Sequence, residues 1–301
     1  MDFSKGFYPA KRNSGFRMDG YFVWCGSCIK GENGRYYLFA SRWKEELGFP
    51  EGYMVGSEIV LASADAPDAP FRFEKVIFSK RDTHYWDGMM THNPFIMRWQ
   101  DEYLLFYIGC SDGTWETRKI GIARSKSLTE GWQRPNFTIE LPQNANNPSA
   151  ILGDDGKIYL VFRDGQLRVS VAMADSVDGR FRVVAENIFP LSPIEDMYLF
   201  KNNGRYEIIA EDNQGGYTGT VGGGAHFFSY DMIHWTPCDP IQVYGREISY
   251  EGGETITLQR RERPFLFEDE GRIFLFTTAK INGKTRESGG KTWNMVQEFK
   301  K

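Results

Sequence analysis

The chain has no apolar run long enough to cross a bilayer as a helix, so a membrane span is not expected. Cysteine is scarce: four in 301 residues cannot form the disulfide framework of a small secreted scaffold. Lysine and arginine total 36 against 40 acidic residues, and they form no cluster that reads as a phosphate-backbone footprint. Nucleic acid is therefore not an expected partner. The first residues, MDFSKGFYPAKRNSG, lack the apolar centre of a secretory leader. A cytoplasmic location is expected, or a periplasmic or secreted one if a leader has been removed. Cys25 and Cys28 form a CxxC, but on one strand residues three apart point to opposite faces. Joint ligation of a metal is disfavoured, and two packed strand thiols are expected.

What the sequence does have is aromatic residues, at 15%, and 32 glycines, which together suit many short strands joined by tight turns. Five times a short polar motif opens a hydrophobic strand, a tight turn follows, and an aromatic-rich strand returns. The copies open at Cys25-Gly-Ser, His92-Asn-Pro, Asn146-Asn-Pro, Glu195-Asp and Glu262-Arg-Pro. Their return strands begin at Tyr36, Tyr103, Ile158, Tyr206 and Ile273. A β repeat with a period of roughly 50 to 70 residues indicates a propeller or array. Third strands follow near Ser57, Lys119, Leu167 and Ala225, and fourth strands near Phe71, Trp132, Phe181 and Trp235. The fold expected is all-β: one five-bladed propeller domain over 1–301, with four antiparallel strands per blade. The fifth copy is less complete, and Lys291-Thr-Trp-Asn-Met-Val is expected to supply its outer strand.

Strand direction divides the propeller into a scaffold face and a site face. First-to-second turns such as Glu32-Asn-Gly and Asn202-Asn-Gly are short hairpins on one face. The long segments 41–57, 79–92, 109–118, 135–147, 211–225 and 238–262 fall on the other, where long loops are usually functional. There the innermost strands converge on the axis and bring together His92, Asn146, Asn147, Glu195, Asp196, Glu262 and Arg263. Strand ends add Trp43, Arg163, Glu211 and Asp212, and inter-blade loops add Trp86, Asp87 and Glu254. His226 opens a third strand beside the Gly222-Gly-Gly run. Carboxylates crowded on an axis repel one another and lose solvent, which raises some of their pKa values. With aromatic platforms such as Trp24, Trp43, Tyr53, Trp86, Trp115 and Tyr217 beside them, they suit glycoside chemistry, in which two carboxyl groups flank the scissile bond. Trp132 and Trp235 recur at equivalent outer positions and are expected to pack the blades. Glu262 with Arg263 has a structural alternative, a buried ion pair tying the last blade to the first.

The segments His92-Asn-Pro-Phe-Ile, Asn147-Pro-Ser-Ala-Ile, Glu195-Asp-Met-Tyr-Leu-Phe and Ser229-Tyr-Asp-Met-Ile-His-Trp carry a resemblance over essentially the whole chain. It resembles the five-bladed glycoside hydrolases of families 43, 32 and 117. The family 43 pattern implies a general acid at Glu195, a base at Cys25 or Gly26, and an acid-tuning aspartate at Asn146 or Asn147. The last two positions hold no aspartate here, so a base must come from elsewhere, with Asp87 or Asp196 expected and Asp212, Glu254 and Glu262 competing. His92, Trp43, Trp86, Arg163, Asp212, His226, Glu262 and Arg263 are expected to bind substrate. The resemblance to family 117 keeps a histidine acid open. No cofactor is expected; an axial metal ion occurs in some relatives, and His92 is the only obvious ligand for one at a blade opening. The function expected is removal of a terminal sugar from a plant or algal oligosaccharide. A glycoside phosphorylase and a non-catalytic sugar-binding propeller are the alternatives.

Overall fold

A computed structural model describes residues 3–281 and 291–300. The first blade is built from β1 (Tyr21–Lys30), β2 (Tyr36–Lys44), β3 (Glu58–Ala64) and β4 (Arg72–Phe78), hydrogen-bonded in that order. The second has β5 (Met90–Trp99), β6 (Glu102–Cys110) and β7 (Lys119–Ser125). The third has β8 (Asn146–Leu152), β9 (Ile158–Arg163), β10 (Val169–Ala174) and β11 (Arg182–Ala185). The fourth has β12 (Ile194–Asn202), β13 (Arg205–Asp212), β14 (Gly223–Ser229) and β15 (Thr236–Tyr244). A small hairpin of β16 (Glu247–Ser249) and β17 (Thr255–Thr257) precedes the fifth blade, β18 (Arg260–Asp269), β19 (Arg272–Lys280) and β20 (Thr292–Glu298). The expected five-bladed all-β propeller is thus observed. Among the described residues no helix is long and apolar enough to cross a membrane.

Two blades depart from four regular strands. In the second, the fourth position holds an irregular segment that meets β7 through paired bonds between Arg124 and Gln133, at 3.2 and 2.7 Å. The strand expected around Trp132 is reduced to that bridge. In the fifth, β20 is the third strand, and the chain's own N-terminus covers its outer edge. Phe16 and Asn294 exchange N–H···O bonds at 3.0 and 2.9 Å, and Tyr8 N donates to Glu298 O at 2.9 Å. Strand edges left unpaired invite association. Here the first residues of the chain cover the last edge and close the ring.

The second strand of each blade is flanked on both sides, and β2, β6 and β9 are buried nearly end to end. Their aromatic and branched side chains fill the space between blades: Phe39, Phe106, Phe162 and Phe276 are all fully buried. Trp132 and Trp235 behave as the repeat implied. Each donates its indole N–H back to a carbonyl, Leu128 O at 3.2 Å and Met232 O at 3.1 Å. Each ring also packs edge-on against a phenylalanine, Phe39 and Phe189 respectively.

Hydroxyls of the first and second strands tie one blade to the next. Ile96 N donates to Ser27 Oγ and Leu199 N to Ser149 Oγ, both at 2.9 Å, while Cys25 N donates to Thr278 Oγ1 at 2.9 Å across the closure seam. Removing such an acceptor leaves a buried N–H without a partner, which costs about 1–3 kcal/mol. Ser27→Ala and Ser149→Ala are each expected to lower stability by that amount in denaturant unfolding. The double variant should show the sum, because the two seams share no partner; a clearly non-additive result would mean that the seams are not independent.

Candidate active site at the propeller axis

Each innermost strand slips its register by one residue near its start: at Trp24/Gly26, His92/Phe95, Asn146/Ser149, Glu195/Tyr198 and Glu262/Phe265. At each slip one residue adopts a left-handed backbone: Cys25, Asn93, Asn147, Asp196 and Arg263, with φ between 52° and 58°. Asparagine and aspartate tolerate this conformation, whereas cysteine and arginine meet more steric resistance. Strain repeated at five equivalent positions marks a constrained site. The bulge also breaks strand alternation. Glu195 and Asp196, adjacent in sequence, both line the axial cavity, although an unbroken strand would send them to opposite faces.

The five bulge residues are linked around the axis. Cys25 Sγ–H donates to Asn93 Oδ1 at 2.9 Å, Asn93 Nδ2 donates to Asn147 Oδ1 at 2.5 Å, and Asn147 Nδ2 donates to Asp196 Oδ1 at 2.9 Å. From the other side Arg263 Nη1 donates to Asp196 Oδ1 at 2.9 Å and the Arg263 amide to Oδ2 at 3.2 Å. Every donor in this series leads towards Asp196, so the ring carries one carboxylate and one guanidinium. Burial pushes the Cys25 thiol up to about 12, which keeps it a neutral donor. The resemblance placed a base and a tuning aspartate at the blade-one and blade-three openings. Those ring positions are Cys25 and Asn147, and both serve as neutral links.

Above the ring lies a cavity of about 350 Å³. Of the expected residues, Glu195, Asp196, His92, Trp43, Arg163, Glu262 and Arg263 line it. Trp24, Tyr53 and Trp115 are in the wall as well. A larger recess, about 460 Å³, lies between blades two and three around Phe137 and Phe181. Its acidic residues, Glu140 and Asp178, are exposed and paired with Arg180 and Arg124, so it has no crowded carboxylates.

Three carboxylates in the axial cavity are each matched to a guanidinium: Glu195 to Arg163, Asp196 to Arg263 at 2.9 Å, and Glu262 to Arg260 at 3.0 Å. The anticipated Glu262–Arg263 pair therefore does not form. The two side chains leave the strand in different directions and find different partners. A fourth carboxylate, Glu211, is buried beside them, and oxygens of Asp196, Glu211 and Glu262 lie within 4.8 Å of one another.

These environments drive the carboxylates apart. Burial opposes charge on Glu195, but Arg163, Asn213 Nδ2 at 3.0 Å and Asn147 Nδ2 at 3.2 Å outweigh it and hold its pKa below the usual range. Glu262 moves the other way: burial, with the negative charges of Asp196 and Glu195, outweighs Arg260 and pushes it up to about 8. Glu211 is held well above the usual range by burial and by Glu262. Asp196 is raised by burial and by Glu195, against the pull of Arg263. The cavity thus holds one carboxylate kept ionised and one kept protonated at neutral pH. Asp196, Glu211 and Glu262 are also the carboxylates, among the described residues, that could converge on a cation. Arg263 and Arg260 are already bonded to two of them.

His92, the residue singled out for a metal, is not in that group. Its Nδ1 lies 2.8 Å from Ser57 Oγ, its Nε2 3.8 Å from Cys25 Sγ, and its ring stacks on Tyr53 at 4.5 Å. Burial together with Arg263 and Arg118 holds its pKa well below the usual value. It is a neutral imidazole at working pH and an unsuitable general acid.

Four expected site residues lie elsewhere. Asp87 is wholly buried outside the cavity, where it accepts from Arg81 Nε at 2.6 Å, Arg134 Nε at 2.7 Å and Tyr107 OH at 2.7 Å. With both oxygens engaged it cannot activate water. Trp86 covers glycines of β6 and β7, and a Cβ at Gly121 would lie 2.4 Å from its ring, so it is a packing residue. Asp212 accepts from Ser192, Tyr217 and Thr218 and folds the 213–222 loop. His226 pairs with buried Glu207 at 2.8 Å near the N-terminal Phe3. Glu254, a lesser competitor, is exposed and paired with Arg12. Conversely, Arg118, Asn144, Arg260 and Asn213 belong to the site and carried no motif. Only their place in the long site-face segments or beside a blade opening could have found them.

No protein-family model and no curated protein sequence matches the chain. Solved structures do. A BT0996 structure described as a complex with RGII matches with a TM-score of 0.72 at 12% identity, over 98% of this chain and 92% of that one. A native Bacillus subtilis arabinanase, Arb43A, matches at 0.61 and 16%, over 97% of each chain. A GH43 β-xylosidase/α-arabinofuranosidase from a compost metagenome, solved with xylotriose in a calcium-free form, matches at 0.66 and 15%, over 97% and 95%. Along essentially its whole length, then, the chain has the five-bladed fold of the family 43 glycoside hydrolases.

Proposed function

We propose that the protein is an exo-acting glycoside hydrolase that removes a terminal sugar from plant or algal oligosaccharides. One observation carries the reading: two carboxyl groups lining the axial cavity, Glu195 and Glu262, are held in opposite protonation states. Environments that push two pKa values apart assign the base and the acid. Glu262 gives its proton to the glycosidic oxygen as the C–O bond breaks. Glu195 takes a proton from the water whose oxygen bonds to the anomeric carbon. This reverses the role that the family resemblance implied for Glu195. The difference follows from Arg163, Asn147 and Asn213, which all stabilise its anion. A cavity closed below by the five-residue ring admits a chain end more readily than a chain interior. Trp115, exposed in its wall, offers an apolar face to a sugar ring, whereas Trp43, expected as a platform, is buried and stacked on Phe49 as a packing residue. The likeness to structures described with RGII and with xylotriose supports an oligosaccharide as substrate.

The pH dependence tests the pairing. Turnover needs Glu195 ionised and Glu262 protonated, so kcat/KM should fall on the alkaline side as Glu262 loses its proton near pH 8. The acid limb should lie below the ordinary carboxylate range, because Glu195 stays ionised there. In Glu262→Gln the alkaline limb should disappear from the pH–rate profile. Its survival would move the acid role to another group.

The neutral ring residues Cys25 and Asn147 favour one second reading, a propeller that binds sugar without cleaving it. It expects calorimetric binding of oligosaccharides with no reducing sugar released from any of them.

A further inference from the structure

Arg118 stands apart from the other guanidiniums of the cavity wall. Arg163, Arg260 and Arg263 each face a carboxylate, whereas Arg118 faces none among the described residues. It is nonetheless held firmly. Nε donates to Asn144 Oδ1 at 2.7 Å, Nη1 donates to Tyr53 OH at 3.0 Å, and the guanidinium lies over the Trp115 ring, 4.5 Å from its centroid. Guanidinium carries five N–H donors, and these contacts leave Nη2 without a partner among the described residues. Tyr53 OH accepts from Arg118, which leaves its own proton to donate. Both residues line the cavity that contains Glu195.

The charge balance of the cavity agrees. Arg163, Arg263 and Arg260 are each bonded to a carboxyl group, while Glu262 and Glu211 hold their protons. Positive charge is therefore in surplus, and Arg118 is the guanidinium of the wall that faces no acidic group among the described residues. A cation fixed in a part-closed cavity, with donors spare, attracts an anion of matching shape.

We infer that the sugar in this cavity carries a carboxylate, a uronic acid, and that Arg118 with Tyr53 recognises that group. The inference rests on the glycosidase reading for the presence of a sugar, and it adds the substrate class. Inorganic phosphate offers similar chemistry from another source, as a phosphorolytic enzyme would require. The other three guanidiniums are already bonded to carboxyl groups, and a single free fork suits a planar monoanion better than a dianion.

Calorimetric titration at neutral pH separates these ideas. The probes are D-galacturonate and D-glucuronate, their neutral counterparts D-galactose and D-glucose, and inorganic phosphate. In the wild-type protein a uronate should bind about tenfold or more tightly than its neutral counterpart, a difference of about 1.4 kcal/mol. That ratio should fall to about one in Arg118→Met and be partly kept in Arg118→Lys, which retains charge but not the fork. In the wild type it should also shrink as salt is raised, a measurement independent of whether either variant folds. Equal binding of uronate and neutral sugar by the wild type overturns the inference and leaves the glycosidase reading standing. So does a ratio unaffected by Arg118→Met in a protein of unchanged circular dichroism. Phosphate that binds more tightly than either uronate, and is lost in Arg118→Met, replaces the carboxylate with phosphate. Binding of none of the sugars removes both readings.

Discussion

Glu195→Gln should lower turnover by roughly 10²–10⁴-fold on every glycoside the protein cleaves, whereas the loss in Glu262→Gln should depend on the leaving group. A general acid is needed when the departing oxygen is strongly basic. It is dispensable when the leaving group is a nitrophenolate that departs unprotonated. Glu262→Gln is therefore expected to lose a comparable factor on an oligosaccharide yet to stay within about tenfold of wild type on a dinitrophenyl glycoside. Glu195→Gln should lose activity on both, because the attacking water keeps its proton in either case. Arg163 Nη1 and the amides of Asn147 and Asn213 surround Glu195, and they would grip a glutamine without restoring its basicity. Steady-state rates for the two variants on the two substrate types decide the assignment. If the aryl substrate rescues Glu195→Gln and not Glu262→Gln, Glu195 is the acid and the roles are exchanged.

The assignment also shows which parts of the molecule were legible in the sequence. The five openings were, because each places a polar motif ahead of an alternating strand, and that pattern depends only on residues close in sequence. The same local logic placed Glu195, Asp196, Glu262 and Arg263 at the axis, where they are found. Charge states were not legible, because partners distant in sequence set them. Asp87 sits in a loop of the site-face type, yet Arg134, 47 residues away, and Tyr107, 20 residues away, both bond its Oδ2, while Arg81 takes Oδ1. Glu195 reads as an acid by resemblance. It becomes an anion because Arg163 comes from β9 and Asn213 from the turn after β13. The bulges were hidden for a different reason. Strand alternation predicts that one of two adjacent residues faces the axis, and a register slip lets Glu195 and Asp196 do so together. Arg118 has no motif at all, and only the folded wall shows that it faces no carboxylate among the described residues.

The ring beneath the cavity carries the second large expectation. Asp196 has about 5% of its surface exposed and accepts from Asn147 and Arg263. Arg263→Met removes the guanidinium bonded to it and leaves a buried carboxylate without its ion-pair partner, which costs about 3–5 kcal/mol. Adding Asp196→Asn to Arg263→Met should recover much of that loss, since an amide can still accept from Asn147 and carries no charge to strand. The coupling energy from the four-member cycle, measured by denaturant unfolding, should be well above the roughly 0.5 kcal/mol seen for independent sites. The sign of its pH dependence is fixed as well. Burial already raises Asp196 in the wild type, and loss of Arg263 raises it further. A carboxylate whose folded pKa exceeds its unfolded one gives up stability as pH rises between the two values. The penalty of Arg263→Met should therefore be largest at neutral and higher pH and fade in acid, where Asp196 is protonated in folded and unfolded chains alike. A penalty below about 1 kcal/mol at pH 7, well short of the cost of an uncompensated buried charge, or one that grows on acidification, would mean that Arg263 does not balance Asp196. The ring would then be held by its amide and thiol links alone.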